Sequence, residues 1–115
     1  MRDIYTSGGA TVSLTRNVPL PEAWNPLGLG KGHPMMYVNS VQTAHPARRQ
    51  GHARRAITAM CLDADSEGIV LWLAAIPDDD SISLEALCNF YRTMGFQDTG
   101  VEPRGFMVRV PRYTS

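Results

Sequence analysis

The chain has 115 residues, 43% of them hydrophobic, with 11 basic and 11 acidic side chains and a formal net charge of zero. That length suits a single domain over residues 1–115 with a real core, and the neutral balance argues against disorder and against wholesale nucleic-acid binding. The start has no charged-then-apolar leader, and the longest apolar run, Ile69 to Ile76, is too short to cross a bilayer; the expectation is a cytoplasmic protein with no membrane partner.

Ser7, Gly8 and Gly9 read as a turn. Ala10 to Thr15 then alternates with period two and carries β-branched residues, predicting a short strand with Val12 and Leu14 buried. Asn17 to Pro34 is rich in proline and glycine, with Trp24 in its middle, and reads as a long connection that cannot be a regular helix. Met35 to Ala44 is the next strand, ended by Pro46, which cannot donate to a sheet ladder. From His52 onward, Ala53, Ala56, Ile57, Met60 and Cys61 recur at helical spacing, with Arg54, Arg55, Asp63 and Asp65 largely off the stripe and Gly68 as a stop.

Ile69 to Ile76 is a continuous apolar run bounded by glycine and proline, the pattern of a central strand buried on both faces. Strand, helix, strand in this order implies a parallel right-handed crossover. Asp78, Asp79 and Asp80 lead into a second helix starting near Ser83, with Glu85 in its first turn and a stripe of Leu84, Leu87, Cys88, Tyr91 and Met94, ended by Gly95. Phe96 to Val101 and Phe106 to Val110 read as a closing pair of strands, with Phe106, Val108 and Val110 on one face. Cys61 and Cys88 both fall in helical apolar patterns and are expected to be buried free thiols. His33, His45 and His52 have no zinc-ligand spacing, so no metal is expected.

The stretch from His45 to Arg55 carries the chemistry. A strand stops at Pro46 and a helix begins near Gly51, and a helix N-terminus presents N–H groups with partial positive charge. A glycine there lets a ligand approach the backbone, and arginines crowd the rim. That is a phosphate cradle.

Arg48-x-x-Gly51-x-Ala53 matches the Gln/Arg-x-x-Gly-x-Gly/Ala acyl-CoA signature of the GNAT N-acetyltransferase superfamily. The later Phe90-Tyr91-x-x-x-Gly95-Phe96 matches the aromatic pair and Gly-Phe that close a helix in that family. Over roughly Met35 to Val110 the chain resembles the superfamily, which implies an α+β fold: a mixed β-sheet with two main helices. The resemblance further implies acetyl-CoA as cosubstrate and acetyl transfer to an amine. It puts the backbones of Val41 and Thr43 along the pantetheine arm. The diphosphate falls on Arg48, Arg49, Gln50, Gly51, His52 and Ala53, with Arg54 or Arg55 toward the ribose phosphate. Tyr91 becomes the acid that protonates the departing thiolate.

Three positions depart from the family pattern. Pro46 stands one residue closer to the arginine than in many members, Leu84 stands where an asparagine is common, and Tyr37 stands where some members carry a glutamate base. The base is then His33, His45, a carboxylate from elsewhere, or water. The N-terminal helices of the family are missing as well. This leaves an acceptor groove that is open, built by the Asn17 to Pro34 loop with Trp24 as part of it or as a plug over the core, or completed by a second subunit. An open groove favours a protein or peptide amine, and a homodimer is the expected assembly. The competing readings are a catalytically inactive CoA-binding or protein-interaction module and a small basic nucleic-acid binder.

Overall fold

The computed structural model describes residues 1–43, 51–76, 83–101 and 105–112. In chain order the elements are β1 (Ile4–Ser7), β2 (Ala10–Arg16), a 3-10 turn (Glu22–Trp24), β3 (Met35–Thr43), α1 (His52–Glu67), β4 (Val70–Ala74), α2 (Leu84–Thr93), β5 (Gln97–Asp98) and β6 (Phe106–Arg109). The strands form one mixed sheet in the order β1-β2-β3-β4-β6-β5, antiparallel throughout except for β3 with β4. The fold is α+β, as the sequence predicts. Among the described residues, no helix is long and apolar enough to cross a membrane.

The two faces of the sheet are covered differently. Val12, Leu14, Met36, Val38, Leu71, Leu73 and Met107 point to one face, where they pack with Ile57, Met60 and Cys61 of α1 and with Cys88 and Tyr91 of α2. Val70, Trp72 and Val108 point to the other, under Leu20, Val18 and Leu29 of the long connection. β4 is therefore buried on both sides, which explains its unbroken apolar run. Trp24 stacks on Phe106 with ring centroids 4.6 Å apart, and Trp72 Nε1 donates to Val18 O at 2.8 Å. The connection is a plug over the second face, with Trp24 still 40% exposed at its edge.

α1 is bounded by two glycines in the left-handed region, Gly51 at φ 72° and Gly68 at φ 69°. α2 begins at Ser83, whose hydroxyl accepts from Ala86 N at 3.1 Å. Cys61 and Cys88 are buried free thiols, and burial pushes the Cys61 pKa up to about 11.

Three features differ from expectation. β1 adds a strand that the sequence did not disclose, because only Tyr5 faces the core while Ile4 faces outward. The expected strand from Phe96 to Val101 shrinks to Gln97–Asp98, since the chain turns away at Gly100, φ 82°. Asp63 and Asp65, off the apolar stripe of α1, are both engaged: Tyr5 donates its hydroxyl to Asp63 at 2.6 Å, and Asp65 takes a bidentate bond from Arg109.

That last pair is the most consequential polar contact. Arg109, 4% exposed, donates Nη1 and Nη2 to Asp65 at 2.7 and 3.0 Å and Nε to Met94 O at 2.9 Å, while the Arg112 N–H adds a bond to Asp65 at 2.7 Å. Burial alone would raise the Asp65 pKa. The bonds from Arg109 and Arg112 outweigh it and hold the carboxyl below the usual range.

Arg109→Leu strands a largely buried carboxylate and should cost about 3 kcal/mol in urea unfolding, whereas Arg109→Leu with Asp65→Leu should recover most of it. Because the folded pKa of Asp65 is depressed, its contribution is fully present above the unfolded value of about 3.9 and is lost as pH falls through the lower folded value. Unfolding midpoints measured down through that window should fall less steeply in Asp65→Asn than in the parent.

Candidate functional site

The site grows out of an interrupted ladder. β3 runs nine residues and pairs with β2 from Met36 to Thr43, but with β4 only through Met35, Met36 and Tyr37, opposite Val70, Leu71 and Trp72. On its other edge β4 stays paired with β6 from Leu71 to Ala74, so among the described residues Leu73 and Ala74 keep one neighbouring strand only. At the carboxyl ends of the parallel pair the ladder therefore stops short and leaves an opening between Val38–Thr43 and Leu73–Ala74. Open sheets take ligands at this end of their parallel strands.

A bulge accompanies the parting. Val38 pairs with Leu14 and Ser40 with Ser13, so Asn39 is the extra residue on β3, and its Oδ1 accepts from Thr15 Oγ1 at 2.8 Å. A bulge sharpens local twist and changes which residues face the core. Met36 and Val38 face the helices at ordinary spacing, and Val41 rejoins them an odd number of residues later. That spacing was the readable signal for the bulge, and the sequence reading passed over it.

α1 begins at the same end of the sheet. Gly51 caps it without a side-chain bond, Arg55 N is bonded to Gly51 O at 3.1 Å, and the first turn carries no acidic residue. Helix geometry turns the N–H groups of that first turn outward. Among the described residues, a Cβ built on Gly51 meets nothing within 4 Å. The β1–β2 turn closes one flank: a Cβ on Gly8 would fall 2.5 Å from the His52 ring.

The expected site residues distribute as follows. Arg48, Arg49 and Gln50 lie outside the described residues, as does His45. Gly51, His52 and Ala53 form the helix start, and the backbones of Val41 and Thr43 lie on the part of β3 beyond its ladder with β4. The Arg54 guanidinium is engaged with α2, 3.2 Å from Thr93 Oγ1 and 5.1 Å from the Phe90 ring centroid. Tyr91, 6% exposed, packs its ring edge-on against Phe90 and Phe96 at 5.4 and 5.6 Å. His33 lies at the other end of β3, with Nδ1 3.3 Å from Gly68 O, lining a cavity of about 750 Å³ with Lys31, Glu22 and Met35.

The face away from the helices is aromatic at the point of parting. Tyr37 and Trp72, the last ladder pair, have ring centroids 4.4 Å apart, with Trp24 6.5 Å from Trp72. Tyr37 thus places a packed ring, not a carboxylate, beside the opening.

Gly51 tests backbone against bulk. At φ 72° a β-branched residue is strained, whereas asparagine tolerates the left-handed region. Gly51→Val should therefore lose about 1–2 kcal/mol in thermal or urea unfolding, and Gly51→Asn well under 1 kcal/mol.

No protein-family model matches the sequence, and a search of curated proteins finds no match. Among solved structures, the chain is similar to the crystal structure of the anti-CRISPR protein AcrVA5, with a TM-score of 0.60 and 24% sequence identity over 87% of this chain and 88% of that one. At that identity the likeness establishes a shared fold.

Proposed function

We propose that the chain is an acetyl-CoA-dependent N-acetyltransferase of the GNAT plan, acting in the cytoplasm on a protein or peptide amine. One observation carries the reading: the β3–β4 ladder ends at Tyr37 and Trp72 on the side of the sheet end where α1 starts with an uncapped, acid-free first turn. An extended acyl-pantetheine arm fits along the β3 edge at Val41 and Thr43, where backbone groups bond it whatever the side chains are. A diphosphate fits the outward N–H groups after Gly51, which has no Cβ to collide with it.

In this reading a neutral amine attacks the thioester carbonyl, forming the C–N bond. The tetrahedral intermediate then breaks its C–S bond. The amine proton leaves to water or a base, and the departing thiolate takes a proton from the Tyr91 hydroxyl, which solvent restores. A phenol with a pKa near 10 is well matched to a thiolate. The helices cover one face of the sheet and the long connection plugs the other, so the acceptor approaches at the carboxyl ends of β3 and β4, where their ladder stops.

A second reading, a non-catalytic CoA-binding or protein-interaction module, is favoured by the burial of Tyr91 between two phenylalanine rings and by Tyr37 at the family's base position. Tyr91→Phe separates the two. Turnover in a thiol-release assay against a panel of amines, including a lysine-containing peptide, should fall roughly a hundredfold, with CoA affinity by titration calorimetry and melting temperature little changed. A parent protein that binds CoA but releases no thiol with any amine would leave the module reading in place.

Assembly belongs to the same proposal. β1 is an edge strand with Ile4 56% exposed, and a symmetric homodimer would cover it. Light scattering at tens of micromolar should give twice the chain mass, and a monomer there removes the dimer.

A further inference from the structure

A cation in the first turn of a helix stands at the wrong end of the helix dipole, so Arg54 needs a compensating partner. It has three. Nη1 lies 3.2 Å from Thr93 Oγ1 and 3.3 Å from the Met94 sulfur, and the guanidinium carbon lies 5.1 Å from the centre of the Phe90 ring. Phe90, Thr93 and Met94 are spaced i, i+3 and i+4, so Arg54 grips one face of the closing turn of α2. The Thr93 hydroxyl donates to Phe90 O at 2.6 Å, which leaves its lone pairs to accept from Arg54.

Tyr91 lies in that same turn. The turn is tied elsewhere by Arg109 Nε to Met94 O and by Arg92 to Asp98 at 2.7 and 2.9 Å, both bonds to strands of the far half of the sheet. Arg54 alone among these ties comes from α1, three residues past Gly51, where the candidate anion cradle begins. The arginine at the cradle thus faces the helix of the candidate acid.

Resting on the acetyltransferase reading, we propose that Arg54 is a positioning residue rather than a phosphate ligand: it braces the Tyr91 turn of α2 against the first turn of α1, so that the cofactor cradle and the proton donor are held as one unit. The guanidinium suits this because its planar face lies over a ring while its edge bonds a hydroxyl, a combination an ammonium does not reproduce.

The test uses Arg54→Met, Arg54→Lys, Thr93→Val and the double variant Arg54→Met/Thr93→Val. Affinity for CoA alone is read by calorimetry, kcat and KM for acetyl-CoA with a lysine-containing peptide as acceptor, and unfolding midpoints in urea. The brace predicts a CoA affinity and an acetyl-CoA KM within threefold of the parent in Arg54→Met, with kcat down at least tenfold. Arg54→Lys should fall nearly as far despite keeping the charge. Thr93→Val should fall in the same direction, and the double variant should be no worse than Arg54→Met. A tenfold loss of CoA affinity in Arg54→Met that lysine restores, with Thr93→Val silent, would make Arg54 a phosphate ligand and overturn the proposal. So would a loss of stability with kcat unchanged per folded molecule. If the parent shows no turnover with any acceptor, the acetyltransferase reading fails on its own. The brace then stands if the Arg54 and Thr93 substitutions are non-additive in urea midpoint with CoA affinity intact, and falls if they are additive.

Discussion

The bidentate bond from Arg109 to Asp65 is the constraint on which the arrangement depends. Arg109 sits on β6, between β4 and β5, and its side chain reaches both the closing turn of α2 at Met94 and the last turn of α1 at Asp65. One guanidinium therefore sets the spacing of both helices over the same face. A buried arginine is costly to desolvate, and here the Asp65 carboxylate and the Met94 carbonyl answer Nη1, Nη2 and Nε. Without it, α2 would lose its tie to β6 and would lean on its apolar stripe, the Arg92–Asp98 tie and the Arg54 contacts at its closing turn.

Placing both helices on one face leaves the other to a connection with almost no regular structure. The connection holds because it is pinned at separated points: Trp72 Nε1 on Val18 O, Trp24 on Phe106, and the Asn25 side chain bonded both ways to the Leu29 backbone. Gly30 comes so close to Val70 that a Cβ would lie 2.6 Å from a methyl. An irregular segment pinned in this way forms a wall as definite as a helix, with its backbone polar groups answered by side chains and turns.

Much of the fold was legible because burial on one side leaves a period. β2, α1, β4 and α2 each show the expected buried faces, and the glycine and serine caps mark their ends. β1 was not legible because a strand with one inward residue has no period to read. The burial of Arg109 was not legible either: its partner lies 44 residues earlier, and nothing local announces it. Of the site, the helix start at Gly51 and the strand leading to it were readable. The point where the ladder stops was not, since it depends on how two strands far apart in the chain diverge in space rather than on any local pattern. The residues that carry the signature arginine, Arg48 to Gln50, lie outside the described residues.

The two cysteines have a practical consequence. Both are buried, and the Cys61 thiol, pushed up to about 11, is ionised on the order of one part in a thousand at about pH 8. A disulfide reagent that traps free coenzyme thiol would find almost nothing to react with on the folded chain, so its colour would report released coenzyme against a flat baseline. The same reagent added without any substrate would then count unfolded molecules, two thiols for each chain that opens.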